Sequence, residues 1–573
     1  METDQTHRTG TAVLISVDLT DAAEQRSSAS GWSALQWFRG LFLVAFALLA
    51  FRISWMSDDA LITLRHVLNI THGWGPGFNA TESVQAYTHP LWFLTWVGVG
   101  SLVDEWVISI VVVSIVCSTG AVAIVMWQAR RVLVALIAGI LILSSNAFLE
   151  YATSGLENPM SYLLVGLVVL LLMRGRDRGQ SASGALFSGL AAAGLGLTRL
   201  DLLIMTAPML CLWAWSIRRN FAALIAAGSG FAMPMALWSA WSFATFNSLL
   251  PNTYEAKRNL TIPASQLVEQ GFRYLQVSIT WDPVTLVVIA CGGVFVLLNG
   301  STLLRAGVSG AFVYLAYVVW IGGDFMAGRF LAVPFYIVVL TAVMTAGERG
   351  FAPRIWSGDE SDERQFANGV GILCIAGLVL AGLLTVHRLP VAFGNPNDMR
   401  WKYSDTFGVA DERGYYVELG QGVLDALLDD SLGDGTDISG GPGNGLRSVI
   451  EAAGDYPSNS SDVRLSIPDS VGVACGGLGF IGIESGPGAH IVDNCALSDG
   501  FLAQIPFVPV PDPANAKSTD PIVKAKGAKG WRVGHYSRNL PPGYLTAIWK
   551  NDPSSIEDPI FRKRLTDLWS ATR

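Results

Sequence analysis

The chain has 573 residues, 51% of them hydrophobic and 15% charged, with a formal net charge of −8 and a mean hydropathy of +0.41. This composition excludes an ordinary soluble enzyme, and the acidic balance gives nucleic acid nothing to bind. The hydrophobicity is uneven: residues 37–387 hold nearly all the long apolar runs, whereas residues 388–573 read as a soluble domain rich in Gly, Pro, Asp and Ser.

Residues 1–36 are polar and read as a cytoplasmic tail, because no small-residue cleavage site follows the first apolar run. Apolar segments follow at about 37–56, 89–103, 107–127, 132–148, 159–173, 184–198, 200–217, 221–246, 283–299, 305–322, 330–346 and 369–387. Basic residues mark cytoplasmic ends. Here they are Arg130-Arg131, Arg174, Arg176, Arg178, Arg218-Arg219, Arg305 and the polar 347–366 loop with Arg349, Arg354 and Arg364. Placing these inside sends the last segment outward and puts residues 388–573 on the outer face. An inside start and an outside finish require an odd number of crossings. One of the twelve segments therefore does not cross. The misfit is 89–103, which is short, begins at His89-Pro90 and carries the interfacial Trp92 and Trp96. It is expected to lie on, or dip into, the outer face. The expected architecture is a polytopic α-helical membrane protein of about 11 transmembrane helices with a C-terminal extracytoplasmic mixed α/β domain. Residues 465–495 supply its short strands.

On this arrangement the polar, motif-like segments all fall on one side, as an active site on a membrane scaffold requires. The large first external loop, 57–106, opens with Ser57-Asp58-Asp59-Ala60 and continues through Arg65-His66 and a Gly-rich turn to Tyr87-Thr88-His89-Pro90. Ionisable residues where a helix leaves the lipid are functional candidates, although an acidic pair can also be a solvated helix stop. A carboxylate here can serve as base, as nucleophile or as ligand to a divalent cation held by Asp58 and Asp59. No cofactor is otherwise indicated. Glu157, in Gly155-Leu156-Glu157-Asn158-Pro159, caps a helix or touches substrate. Arg199 and Asp201 form a pair between two apolar segments. Lys257 and Arg258 follow Leu250-Pro251-Asn252-Thr253 and either hold a phosphate or snorkel at the headgroups. Asp324 and Arg329 flank the Gly322-Gly323 to Gly328 loop. No P-loop, dinucleotide fingerprint, HExxH or CxxC is present.

Of the six cysteines, Cys117, Cys211, Cys291 and Cys374 lie in apolar helices. Cys475 and Cys495 are alone in the soluble domain, which suggests a disulfide and an oxidising compartment. Trp401, Tyr415, Tyr416, Trp531 and Tyr536 either stack on sugar rings or fill the domain core.

The ordered motifs resemble a known family. Asp58-Asp59-Ala60 with Tyr87-Thr88-His89-Pro90-Leu91-Trp92 is similar to the first external loop of GT-C polyprenyl-phosphate-dependent glycosyltransferases. Gly155-Leu156-Glu157, Thr198-Arg199-x-Asp201, Leu250-Pro251-Asn252-Thr253-x-x-x-Lys257 and Gly322-Gly323-Asp324-Phe325-Met326-x-Gly328-Arg329-Phe330 continue it. Together they resemble the mycobacterial terminal β-(1→2) arabinofuranosyltransferase family. One departure is Leu200-Asp201, where many related sequences carry Pro-Glu after the Thr-Arg. The resemblance implies decaprenylphosphoryl-arabinofuranose as donor and the arabinan ends of arabinogalactan and lipoarabinomannan as acceptor, in cell-wall biogenesis at the plasma membrane with a periplasmic site. Asp59 and Asp58 are then the catalytic pair. Lys257, Arg199, Arg329, Arg65 and His66 are expected on the donor phosphate, and Glu157, Asp201, Asp324, Tyr87, His89 and Asn252 on substrate. The rival functions are a flippase for a polyprenyl-phosphate-linked sugar and a non-catalytic assembly protein. The absence of an obvious internal repeat and the crowding of motifs on one face weigh against the flippase.

Overall fold

The computed structural model describes residues 33–348, 408–418, 422–428, 445–459, 465–518 and 521–572. Most of the expected tail 1–36, nearly all of the basic 347–366 loop, the apolar segment 369–387, Cys374 and Trp401 lie outside the described residues.

Apolar runs in lipid must satisfy their backbone polar groups internally, and helices do so. Ser33 opens the first helix, Ala34–Arg52, with a capping box. Its hydroxyl accepts from the Gln36 N–H, and the Gln36 side chain accepts from the Ser33 N–H. Leu41, Val44 and Leu48 on that helix are 60–66% exposed at helical spacing, an outward apolar stripe suited to lipid. The chain is a multi-pass membrane protein. Six described helices are long and apolar enough to cross: Ala34–Arg52, Trp106–Gln128, Asn158–Arg176, Phe221–Phe246, Thr302–Trp320 and Arg329–Glu348. A seventh span results if Ala264–Trp281 and Pro283–Asn299, bent by 107°, count as one. The remaining apolar helices, Pro90–Val103, Val132–Ser144, Ala182–Thr198 and Leu202–Ile217, have 14, 13, 17 and 16 residues, below the roughly 20 that a straight crossing takes. Each occupies an expected segment. Pro90–Val103 is the one read as lying on the surface.

Helix Arg329–Glu348 is the axis of the bundle. It is buried along most of its length and packs against Trp106–Gln128, Asn158–Arg178, Pro283–Asn299 and Thr302–Trp320. Helices Ala182–Thr198 and Phe221–Phe246 meet backbone to backbone: a Cβ on Gly189 would collide with the Ala227 carbonyl, and one on Gly230 with that of Leu186. The segment read as a 247–282 loop instead forms helices Asn252–Arg258 and Ala264–Trp281. The second buries Gln270, Gly271, Tyr274, Val277, Ser278 and Trp281, a 3.6-residue stripe with polar residues between.

The region after residue 408 packs on the first external loop. Strands Ser470–Ala474 and Ala489–Asp493 pair in parallel, and the connecting helix Leu478–Glu484 lies against helix Asp58–Thr71. Glycine permits the approach: a Cβ at Gly479 would meet the Asp58 carbonyl, and one at Gly482 would meet Arg65 Cδ at 2.8 Å. Cys475 and Cys495 form a disulfide beside this contact. Isolated bridges join Trp55 to Gly422, Leu260 to Phe507 and Met326 to Ala410, so this region is tied to the membrane helices at several points. Tyr416 stacks on Trp55 and Phe480, and Trp531 and Tyr536 are 2% and 7% exposed. These three rings are core rather than sugar platforms, whereas Tyr415 is 39% exposed.

Gly479→Val is expected to destabilise by about 1–3 kcal/mol through overpacking, whereas Gly476→Ala, where a Cβ meets nothing within 4 Å, is neutral. Thermal unfolding of the detergent-solubilised chain checks this. Equal midpoints for the two variants would show that the close approach does not hold the C-terminal region.

Candidate active site

Helix Asp58–Thr71 begins at Ser57, whose side chain accepts from the Ala60 N–H, and its first turn carries both aspartates where the helix dipole favours negative charge. Successive residues on a helix point about 100° apart, and the structure uses that angle to part the pair. Asp58 is 8% exposed, and its Oδ1 accepts from the N–H groups of Gly479 at 2.8 Å and Phe480 at 3.1 Å. Burial, and then the Asp59 charge, push its pKa to about 7 against those N–H groups. Asp59 lies deep in a cleft with 30% of its side chain open, and its Oδ2 is 3.7 Å from Arg329 Nη1. Burial raises its pKa to about 6, with Arg329 and Lys257 opposing and Asp324 and Glu157 assisting.

The cleft is organised around Glu157, whose side chain is 1% exposed. Its Oε1 is 3.3 Å from Arg329 Nη2 and 3.6 Å from Arg199 Nη1, and its Oε2 is 3.4 Å from His89 Nδ1. Burial alone would raise the Glu157 pKa, but Arg329, His89 and Arg199 together hold it down at about 2. His89 is held neutral: burial lowers its pKa to about 4 even beside Glu157. Its contact with Glu157 is therefore polar rather than ionic at neutral pH, and its Nε2 lies 2.9 Å from the Thr63 hydroxyl.

Arg199 and Arg329, both expected on phosphate, differ in freedom. Arg199 donates to both Asp201 oxygens at 3.1 and 2.6 Å and to the Tyr314 hydroxyl at 3.1 Å, and it stacks over Phe330. Tyr314 in turn donates to Asp201 at 2.9 Å. These contacts make Arg199 and Asp201 struts between helices Ala182–Thr198, Leu202–Ile217 and Thr302–Trp320, not an open phosphate site. Arg329 stands at the cleft wall, with Asp59 and Asp324 each 3.7 Å from Nη1. The Gly322–Gly328 loop makes this possible. Gly323 and Gly328 have φ of 72° and 77°, and a Cβ on either would strike Tyr274 or Trp281. Lys257 reaches solvent within the same cleft. Burial lowers its pKa against the attraction of Asp324, Asp201 and Asp59. Among the described residues no ion pair within 4 Å holds it.

Four expected site residues are used elsewhere. Arg65 is fully buried and donates to the carbonyls of Phe78, Gly482 and Ala489, so every arm of its guanidinium is spent on backbone. His66 is fully buried between the carbonyls of Ile62 and Val84. Tyr87 is 2% exposed and stacked on Phe93 at 4.3 Å. The Asn252 amide donates to the carbonyls of Ala496, Leu497 and Asp499. Arg65 and His66 are corrected from phosphate ligands to interior props, because a guanidinium or imidazole saturated by carbonyls has nothing left for a phosphate. Tyr87 and Asn252 likewise brace the first loop and the C-terminal region.

A divalent cation on Asp58 and Asp59 does not fit. The Asp58 carboxylate is turned to N–H donors, and no group of three or more His, Cys, Asp or Glu among the described residues is placed to ligate an ion.

One cleft group has no sequence signal. The Met326–Ala410 bridge, with N–H···O bonds of 2.7 and 2.8 Å, lays segment 408–418 along the Asp324 loop. It delivers Glu412, 7% exposed, into the field of Asp59, Asp324 and Asp58. Burial raises its pKa to about 8 despite Arg532.

No protein-family profile matches the chain. Two curated relatives do. The terminal β-(1→2)-arabinofuranosyltransferase of Corynebacterium glutamicum is 29% identical over 343 residues, 50% of this chain and 47% of the relative. The protein of the same name from Mycobacterium tuberculosis is 25% identical over 405 residues, 64% of this chain and 62% of the relative. The chain therefore spans about half to three-fifths of their length. The resemblance drawn from the ordered motifs is the one these relatives carry. Among solved structures, ArnT from Cupriavidus metallidurans bound to undecaprenyl phosphate aligns with a TM-score of 0.42 at 14% identity, over 83% of this chain and 90% of that one. The Archaeoglobus fulgidus oligosaccharyltransferase AglB, with an inhibitory peptide and a dolichol-phosphate, aligns at 0.40 and 12%, over 80% and 65%. At such scores the likeness fixes neither fold nor function.

Glu157→Gln leaves two buried guanidiniums short of their counter-charge and is expected to destabilise by about 3–5 kcal/mol. The pH dependence has a definite sign. A carboxyl whose pKa is about 2 when folded and 4.5 when unfolded stabilises fully above 4.5 and loses that contribution as pH falls towards 2. The wild-type unfolding midpoint should therefore approach that of Glu157→Gln between pH 5 and pH 3, roughly the window set by linkage. A gap constant over that range would refute the charged role of Glu157.

Proposed function

We propose that the cleft transfers arabinofuranose from decaprenylphosphoryl-arabinofuranose to the arabinan ends of arabinogalactan and lipoarabinomannan, forming terminal β-(1→2) linkages. The scaffold is GT-C-like, with residues 37–387 in the plasma membrane and residues 388–573, together with the cleft, on the periplasmic side. One observation carries the reading: an accessible carboxylate, Asp59, stands 3.7 Å from Arg329 in a cleft that also holds Lys257, with no ion-pair partner among the described residues. The motif order and the two relatives' names support the choice of sugar and linkage.

The chemistry follows from the charges. The leaving group is a lipid phosphate and needs no strong acid. The bond between the sugar C1 and the phosphate oxygen breaks, and the growing negative charge falls to Lys257 and the outer edge of Arg329. The bond from C1 to the acceptor oxygen forms, and the acceptor hydroxyl proton leaves. A β donor and a β product mean net retention, which two paths satisfy. In one, the Asp59 carboxylate attacks C1, and the acceptor then displaces it while the bound phosphate takes the proton. In the other, Asp59 takes the proton as the acceptor attacks from the face the phosphate leaves. Asp58 acts through Asp59: its carboxylate, fastened to Gly479 and Phe480, fixes the first turn of the helix.

Sugar transfer from the lipid-phosphate donor to a short arabinan, using the purified chain, tests this directly. Asp59→Asn should lower the rate at least about a hundredfold with donor binding intact. Both paths need the ionised carboxylate, so wild-type activity should rise with pH through about 6 and level off above it. An Asp59→Asn variant as active as wild type would reduce the aspartates to a helix stop. An inert wild type with intact donor would bring the flippase forward. Incubation with donor alone separates the paths, because only the first leaves an arabinosyl mass on the Asp59 peptide.

A further inference from the structure

A second cavity, of about 810 Å³, lies beside the cleft. Its walls are the first-loop stretch 83–85, the turn after helix Phe221–Phe246, helix Asn252–Arg258 and the C-terminal helix Pro559–Thr572. The volume is within the range of about 300–1,000 Å³ typical of ligand sites. Helix Asn252–Arg258 is the partition between the two spaces. At about 100° per residue, Asn252, Glu255 and Asn259 share one face, Lys257 points from the opposite one, and Tyr254 stands on the flank between them, at the rim of the cavity. The first three line the cavity, and Lys257 does not.

The lining selects an occupant. Asn247 and Gln504 offer side-chain amides, whereas the Ser248 hydroxyl is taken up by Leu250 and the Asn259 amide donates to Glu255 and to the Ala503 carbonyl. Lys563 pairs with Asp567 at 2.7 Å and Arg258 with Glu255 at 3.7 Å, and Arg564 keeps its charge but donates to the Gln504 carbonyl at 2.9 Å. The lining holds no cluster of cations for a phosphate, and its apolar members, Val84, Phe246, Leu250, Ile560 and Leu568, are mixed with polar ones rather than forming the continuous wall that a polyprenyl chain needs. Amides, balanced charge pairs and apolar patches alongside an aromatic ring, Tyr254, which is 50% exposed, match a neutral polyhydroxylated chain.

We propose that this cavity is a distal acceptor subsite that binds the interior of a neutral oligosaccharide whose end reaches the Asp59 cleft around helix Asn252–Arg258. This rests on the transferase reading above. The partition is one helix thick, about 10 Å with side chains, so a disaccharide in the cleft does not reach the cavity and a long arabinan does.

The experiment compares transfer to a disaccharide and to an octasaccharide by the 573-residue chain carrying Ala571→Trp, which fills the cavity from an exposed helical position, or Tyr254→Ala. The expected result is a KM for the octasaccharide raised about tenfold, equivalent to about 1.4 kcal/mol, with disaccharide kinetics and thermal midpoint unchanged. If Ala571→Trp lowers the midpoint, Tyr254→Ala decides. Equal losses with both acceptors, or no loss with either, would overturn the proposal. If wild type transfers to neither acceptor, the transferase reading fails, and titration calorimetry with the octasaccharide judges the cavity alone. Saturable binding weakened by Tyr254→Ala supports it, and no binding, or binding the variant leaves unchanged, refutes it.

Discussion

A carboxylate with 1% of its side chain exposed survives in this interior because two guanidiniums and an imidazole converge on it. Removing a charge from water costs several kcal/mol, and only close opposite charge offsets that cost. Glu157 therefore dictates where Arg199 and Arg329 must stand, and those arginines dictate the rest. Arg199 pins Asp201 and Tyr314, Arg329 faces Asp59 and Asp324, and His89 reaches Thr63 on the helix that bears both aspartates. Helices distant in sequence meet at this one negative centre, and the cleft is the part of it that solvent reaches.

A second set of contacts holds helix Asp58–Thr71 from behind. Asp58 accepts N–H groups from helix Leu478–Glu484, and Arg65 donates to carbonyls of the same region. The carboxylate on one side of the first turn is thus anchored and its neighbour is left to the cleft. Groups that must be placed within a fraction of an ångström need such outer support. Here the region after residue 408 provides it, and also contributes Glu412 to the local field.

Most of the bundle was legible in the apolar runs, since length and hydropathy suffice to mark a helix in lipid. That Asp59, Glu157, Asp324 and Arg329 lie on one face of the bundle was legible in the motif order, but their convergence on one another was not. Which aspartate faces the cleft was not, because the 100° turn between neighbours has meaning only once helix Leu478–Glu484 is in place. Arg65 and His66 were misassigned for a related reason: a basic residue near a carboxylate pair looks like a phosphate ligand until the carbonyls that saturate it are known. Helix Ala264–Trp281 has no continuous apolar run to mark it in the sequence, because its buried stripe is interleaved with Gln266, Glu269 and Arg273.

The anchor on Asp58 comes from residues 421 and 422 positions later in the chain. During synthesis the first turn of that helix emerges long before its partner exists. Pairings across such distances are late events in folding, made after local helices are set. The cleft thus remains incomplete while the bundle is being inserted, and its last component arrives only when the C-terminal region has been made and folded against it. A nascent or truncated chain would carry every cleft motif before Glu412 and still lack a positioned Asp59.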